Sequence, residues 1–514
     1  EGPLDEIFSN FLDKSPDALF RRIDPDYHYP TFGDDSTVTE DAPTRGKFYV
    51  KLKKEETYGL WGNFLVGYTE TDLAHVDRGL YGANLHYQPL DTTSFGESRL
   101  MVDGFAADPG TVGGRDELRG TGGSLYFLRR QDILEGSERV RIEIRDKDSG
   151  IVLGVKNLTP VLEYDIDYLQ GRILLAQPLS ATVDDDMLVS SASLSGNLVF
   201  LVVRYEFTPG FNDPETVAAG GRAHYWLNDH VKIGVTASHD EELDIENSLG
   251  GADLTLRKSS LSWIKLETGR TKGPGVLEMT SIDGGYDFST PDVSDDNDAE
   301  SSAYRIDASL GLKDIFKNGR GGQFTFYLQD LEAGYSAPGL IATRETTQYG
   351  GTAVLPFTDR LNARVKVDLH QQEEGLETEN YELNLDYRIG EHWTLGLGVR
   401  HDSREDNSSP EDKPETQEEG DLTDGVVKLL YDSREQWTAY GFVQDTIDSS
   451  GNREDNGRIG AGGSMRFTDR FNVAGEVSGG DLGPGAMLGT EYLYSDRTTL
   501  YSNYTLENER TDNG

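Results

Sequence analysis

The sequence predicts an all-β fold: a transmembrane antiparallel up-and-down β-barrel with a small inserted β-domain. Three observations carry the prediction. Segment after segment alternates apolar and polar residues, very short turns alternate with long acidic connections, and aromatic residues gather beside the short turns.

Alternation is clearest at 379–389, where Tyr381, Leu383, Leu385, Tyr387 and Ile389 share one face and Glu382, Asn384, Asp386 and Arg388 the other. Successive side chains of a strand point to opposite sides, so this is a strand with one apolar and one polar surface. Segment 361–370 repeats it, with Leu361, Ala363, Val365, Val367 and Leu369 against Asn362, Arg364, Lys366, Asp368 and His370. Segments 231–237, 304–313 and 459–467 follow the same rule. The polar positions Arg364, Lys366, Asp368, Glu382 and Arg388 mix both signs and are assigned to a hydrated lumen, where they pair across strands rather than form a selectivity ring. Helical periodicity is confined to the N-terminal segment 1–22, which contains "PLDEIFSNFLDKSPDALF".

Short polar turns separate pairs of strands: "NDH" (228–230), "TDR" (358–360), "GEH" (390–392), "SRE" (433–435), "TDR" (468–470) and "SDR" (495–497). They read as tight hairpin connections. The connections at the other strand ends, such as "HDSREDNSSPEDKPETQEEGDL" (401–422), are long and acidic. That asymmetry is expected between the periplasmic and extracellular rims of an outer-membrane barrel. Phe357, Tyr387, Trp393, Trp437, Phe467 and Phe471, with Tyr431 and Tyr494, lie close to the short turns and read as an interfacial girdle. A soluble antiparallel sandwich or propeller is the competing architecture, since alternation alone does not say which face meets solvent.

The totals agree with an exported barrel. The chain has 514 residues, 91 acidic and 48 basic, a net charge of −43 and no cysteine. So negative a chain is unsuited to nucleic acid. Without cysteine it has neither disulfides nor thiolate chemistry. Its longest apolar run, "LVFLVV" at 198–203, is far below the ~20 residues of a membrane helix. The mean hydropathy of −0.56 does not oppose a barrel, whose strands show lipid only alternate residues.

With the short turns set as periplasmic, each strand acquires a direction. Residues 23–134 supply the first barrel strands, 135–197 an inserted domain at the periplasmic mouth or in the lumen as a plug, and 198–514 the remaining strands with long acidic extracellular loops. The count includes 122–130 and 198–207 as barrel strands and treats 270–301 as one extracellular excursion. It gives about 22 strands, and the position of the first and last strand ends implies about 24 or more in the complete barrel.

The insert reads "GSERVRIEIRDKDSGIVLGVKNLTPVLEYDIDYLQGRILLAQPL", with short strands and the turn signals "DSG" and "LQG". Its stretch "EYDIDYLQGRILL" (163–175) resembles an element of large Gram-negative outer-membrane barrels, including the translocation barrel of the type IX secretion system. The resemblance implies location, the outer membrane of a Gram-negative bacterium, and brings no active site with it.

Catalytic signals are thin. His239-Asp240 and His401-Asp402 stand at strand ends without an identifiable nucleophile, and zinc spacing, P-loop and dinucleotide fingerprints are absent from the sequence. No enzyme activity and no cofactor is expected. Asp292, Asp295, Asp296 and Asp298 are weak Ca²⁺ candidates without EF-hand spacing; solvated loops are the simpler reading, with loosely held Ca²⁺ or Mg²⁺ as the alternative. The expected function is a large, plugged or gated channel or translocation pore, porin-like in build. The alternative is a surface scaffold whose acidic loops, or whose insert, hold a protein partner. Expected surroundings are outer-membrane lipid and lipopolysaccharide.

Overall fold

The computed structural model describes residues 48–506, apart from 109, 184–186, 191–195, 209–215, 243–244, 275–277, 290–299, 317–320, 410–417 and 496–497. The predicted N-terminal helix and the four candidate Ca²⁺ ligands lie outside the described residues. The chain is all-β. Its first four strands are β1 (Val50–Lys54), β2 (Thr57–Tyr68), β3 (Val76–Tyr87) and β4 (Leu100–Ala107). Then come β5 (Val112–Arg119), β6 (Leu125–Phe127), β7 (Arg139–Arg145), β8 (Val152–Asn157), β9 (Tyr164–Asp167), β10 (Arg172–Leu175), β11 (Thr182–Val183) and β12 (Asn197–Phe207). The next group is β13 (Thr216–Asn228), β14 (Val231–Glu242), β15 (Ile245–Arg257), β16 (Trp263–Lys272), β17 (Glu278–Ser281) and β18 (Glu300–Gly311). A one-turn helix, α1 (Leu312–Ile315), precedes β19 (Gln323–Leu331), β20 (Ser336–Ala337), β21 (Leu340–Ile341) and β22 (Thr346–Pro356). The series ends with β23 (Leu361–Gln372), β24 (Leu376–Ile389), β25 (Trp393–Asp406), β26 (Gly420–Asp432), β27 (Trp437–Ser449), β28 (Arg458–Thr468), β29 (Phe471–Gly480), β30 (Gly483–Ser495) and β31 (Thr498–Leu506).

Twenty of these strands form one antiparallel meander. β1 to β4 pair in sequence, β4 pairs directly with β13, and the wall then runs β13–β16, β18, β19 and β22–β31, each strand against the next. Among the described residues β1 and β31 do not pair with each other. The predicted turns up to "TDR" 468–470 are hairpins as read: for example, Asn228 ends β13 and Val231 begins β14, and "TDR" 358–360 joins β22 to β23; "SDR" 495–497 reaches outside the described residues.

Across much of the wall from β13 to β27 polarity is inverted relative to a water-soluble core, while β2–β4 bury an apolar inner face of Leu60, Phe64, Val66, Leu80 and Phe105. In β24 and β25 the apolar Leu383 and Val399 are 43% and 45% exposed, whereas Glu382 and Asn384 are 3% and 0% exposed. The same inversion puts Ile233, Val235, Ile264, Phe326 and Val427 outside and buries Arg222, Asp253, Glu267, Gln348 and Gln444. Strands with this distribution are built to meet an apolar medium on the outer face and polar partners within.

Arg222 and Glu267 find those partners on the wall and its β2–β3 loop, while Gln348 and Gln444 find them on the insert, whose described strands run from β5 to β12 and so reach beyond 135–197 on both sides. Strand 198–207 is not part of the wall: as β12 it is the centre of a second sheet, flanked by β5 and β7. Its apolar run "LVFLVV" is buried on both faces, the pattern of a central strand in a packed core rather than of a strand with one polar side. Segment 122–130 likewise belongs to the insert, where β6 pairs with β10. Removing these two segments from the count brings about 22 strands to the 20 observed.

The correction changes where the insert is attached. β4 and β13 meet at the rim opposite the short turns, so the insert springs from the long-loop rim, not from the short-turn rim. That rim is less uniform than expected, because β23–β24 and β29–β30 are joined there by short turns as well. The excursion 270–301 adds no wall strand, as expected, but it is more than a loop: its β17 pairs parallel with β5 and extends the insert's sheet. The insert has its own core of Leu118, Tyr126, Ile173, Leu201, Val203 and neighbours.

Candidate functional site

The chemistry-bearing side chains concentrate where the insert touches the polar face of the wall. The turn between β7 and β8, "DKDSG" at 146–150, is shaped by its own residues. Asp146 Oδ1 accepts the backbone N–H groups of Asp148 and Ser149 at 2.9 and 3.0 Å, and Gly150, at φ 69°, closes the reversal. This projects the Asp146 and Asp148 carboxylates from the tip.

Two wall cations receive them. Lys366 Nζ on β23 lies 2.7 Å from Asp146 Oδ2 and 2.6 Å from Asp148 Oδ2. Arg400 on β25 donates from Nη2 to Asp148 Oδ1 at 2.7 Å and to Asp402 Oδ2 at 2.9 Å. Strand register places these cations: Lys366 stands opposite Glu382, and Glu382 opposite Arg400, so β23, β24 and β25 carry a plus-minus-plus row. Around it, Tyr327 donates to Asp368 at 2.5 Å, Gln348 donates to the Ser149 carbonyl at 2.6 Å, and Arg404 Nε lies 3.0 Å from Asp402. All of Lys366, Asp368, Glu382, Arg400 and Asp402 are buried. Ion pairs so far from water are held by mutual satisfaction, and loss of one member leaves a costly orphan.

Asp148 shows the balance. Burial alone would raise its carboxyl, but Arg400 and Lys366 outweigh burial and hold it well below the usual carboxylate range. Asp146, Asp148 and Asp368 bring three carboxylates close enough to hold a metal ion, yet Lys366 already supplies a cation to all three, at 3.5 Å from Asp368. The other such trio, Asp72, Glu267 and Asp307, is likewise served by side chains, with Lys265 against Glu267 and Arg305 Nε 2.7 Å from Asp307.

Further contacts extend around the wall. Gln444 on β27 accepts the Ser190 N–H and donates to the Ser190 carbonyl, both at 2.9 Å, while Val189 packs with Val426 and Phe442. Arg78 on β3 grips Glu206 of β12 through Nε and Nη2 at 2.9 and 3.0 Å. Tyr501 on β31 donates to Ser124 at 3.1 Å. Strands from the beginning, middle and end of the wall thus all face one insert, and the wall curves around it.

Of the polar residues singled out in the sequence, Lys366, Asp368 and Glu382 belong to this network. Arg364 instead pairs with Asp386 at 3.4 Å, and Arg388 is exposed close to the turn rim. Arg400, Asp146 and Asp148 were not singled out. Alternation at 393–400, with Leu397 and Val399 outward, places Arg400 inward; nothing in the sequence tells which turn of the insert will meet it. Aromatic residues cluster beside the short turns: Trp393 and Trp437 flank Tyr431 at centroid distances of 4.9 and 4.8 Å, and Phe467 stacks on Phe471 at 5.6 Å. Phe357, Tyr387, Trp393, Trp437 and Phe467 are all exposed.

No protein-family model matches the chain, and no curated protein matches it. Among solved structures it is similar to the ferric-catecholate import receptor Fiu of E. coli K12 in its open form. The two share 12% identity over 85% of this chain and 72% of that chain, with a TM-score of 0.27. So loose a likeness carries no functional weight.

Proposed function

We propose that the chain is an outer-membrane β-barrel of a Gram-negative bacterium, forming a large channel or translocation pore that its insert plugs. The observation that carries the reading is the inverted polarity of the wall combined with the docking of the insert on its polar face. An exposed apolar surface around twenty strands calls for lipid, with lipopolysaccharide at the outer leaflet, and a buried polar surface calls for water or a polar occupant. With the short turns periplasmic, the insert hangs from the extracellular rim and folds back into the lumen. The Asp146/Asp148 turn against Lys366 and Arg400 is its latch.

Planar-bilayer recording tests the reading. Purified wild-type chain should conduct rarely and in small steps, and the double variant Asp146→Asn/Asp148→Asn should conduct more often and in larger ones. A variant that inserts into the bilayer and stays silent supports the second reading, a scaffold barrel that presents its acidic loops to a partner.

A further inference from the structure

The second region of interest lies at the other side of the insert, away from the latch. Three arginines there stand in one cross-strand row: Arg204 at the centre of β12 is opposite Arg115 on β5 and Arg139 on β7. Like charges directly opposite one another destabilise a sheet unless something compensates. Two of the three are compensated. Arg115 contacts Glu117 and, at 3.1 Å, Glu278 of β17, and Arg139 lies 3.4 Å from Asp77.

Arg204 is the remainder. It is 6% exposed, and its partners are two backbone carbonyls, Asp77 and Pro338, each at 3.2 Å. Its Nε is buried without any partner. Burial, and next to it the Arg115 charge, pull the guanidinium down to about 9, so the site works against its own cation.

A cavity of about 110 Å³ opens beside it, between the insert and the wall strands β3, β14 and β15. Its lining includes Arg204, His75, Arg115 and Ser248 together with three carboxylates that have cations of their own, Glu206 and Asp240 on Arg78 and Asp77 on Arg139. The volume exceeds many times what one water needs. Gly113 and Gly114 line it too, and a Cβ at Gly114 would fall 2.9 Å from the Tyr205 ring, so glycine keeps this wall open. His75 Nε2 is a second buried polar atom without a partner. Burial and the surrounding arginines hold the imidazole neutral, in which form one ring nitrogen carries a proton to donate.

We propose that this cavity binds a small oxyanion, a carboxylate or a phosphate, held by the Arg204 guanidinium and the His75 imidazole. An anion there gives Arg204 the direct anionic contact it lacks, Asp77 and Glu278 acting on it only without contact, and satisfies both orphaned nitrogens. Guanidinium is the side chain best matched to planar or tetrahedral oxyanions, through paired N–H donors. The site is independent of conduction through the barrel.

Thermal unfolding of the full chain in detergent, at constant ionic strength, tests this with inorganic phosphate and acetate as probes. Wild type should show a saturable rise in melting temperature with at least one probe, and the probe that saturates first identifies the class. Arg204→Met should melt higher than wild type without anion, because the uncompensated charge is gone, and should not respond to either probe. His75→Leu should keep the response with affinity weakened about tenfold, the loss expected for one hydrogen bond to a charged group. The proposal is overturned if wild type shows no saturable shift, if Arg204→Met shifts as wild type does, or, should that variant not fold, if His75→Leu binds with unchanged affinity.

Discussion

Asp148 and Arg400, 252 positions apart in sequence, meet at 2.7 Å inside the wall, one from a turn of the insert and one from a strand around it. Arg78 and Glu206 join the same two parts of the molecule with the same polarity, the anion again on the insert and the cation on the wall.

Replacing Asp148 by Asn keeps its shape and removes its charge, leaving Lys366 and Arg400 short of one partner. We expect the docked state to lose about 3 kcal/mol, as for other buried pairs with one member removed. Amide hydrogen exchange should show faster opening at 146–150 and little change in the wall strands. Unchanged protection of the turn would contradict the latch.

The same pair fixes the latch's response to acid. The folded-state value of Asp148 lies below its unfolded value, so its contribution is complete above the ordinary carboxylate range near 4 and is lost as pH falls through the depressed folded value. The contribution of Asp148 to docking is therefore flat between pH 5 and 8 and weakens only in stronger acid. A hydrogen-exchange series against pH at the turn measures this.

Asp116 predicts the opposite slope. It is buried in the insert, accepting from the Arg129 N–H at 2.7 Å and the Tyr205 hydroxyl at 2.9 Å. Burial pushes its carboxyl up to about 6, against 3.8 for the free group. The folded state then holds a proton that the unfolded state has released, so stability falls as pH rises from about 4 to about 6 and levels off above. The drop has an upper bound of about 3 kcal/mol. Urea titrations of wild type and Asp116→Asn should show this slope in the first and its absence in the second.

Gly171 closes the "LQG" turn between β9 and β10 at φ 65°, and a Cβ there would fall 2.2 Å from the Arg130 carbonyl oxygen. Gly171→Ala incurs both the left-handed backbone and the clash, so we expect a loss of at least about 1–2 kcal/mol. Limited proteolysis should cut the insert of this variant first.

Leu383 separates a lipid-facing wall from a soluble one. It is already exposed, so in water Leu383→Arg should change stability by no more than about 0.5 kcal/mol. In a bilayer the same change costs about 2–4 kcal/mol at the midplane. Refolding into lipid vesicles under urea distinguishes the two outcomes.

Much of this fold is legible in the sequence because a wall strand must declare both of its faces. The alternation at Tyr381–Ile389 and Leu361–His370 encodes strand, inner face and register partners together, and Lys366, Asp368 and Glu382 are found that way. The insert is read less well for a physical reason. β12 buries both sides, so its run of Leu198–Val203 has no polar face to report, and it is mistaken for one more wall strand. Together with the same misassignment of 122–130, this inverts the deduced rim of attachment. The contact of Asp148 with Arg400 depends on how the insert seats against the wall, which no local pattern encodes.

The insert's position between β4 and β13 also bears on how the wall assembles. Ala107 pairs with Ala218, a junction that in an unfolded chain requires closing a loop of more than a hundred residues. Within the folded insert Val112 already pairs with Phe207, so the chain enters and leaves it side by side. If the insert folds first, the open span shrinks to a handful of residues on each side, lowering the closure cost by about 2 kcal/mol. The domain that docks on the wall is then also the template that brings β4 and β13 into register, and a variant with a slow-folding insert should delay wall assembly even where its final structure is unchanged.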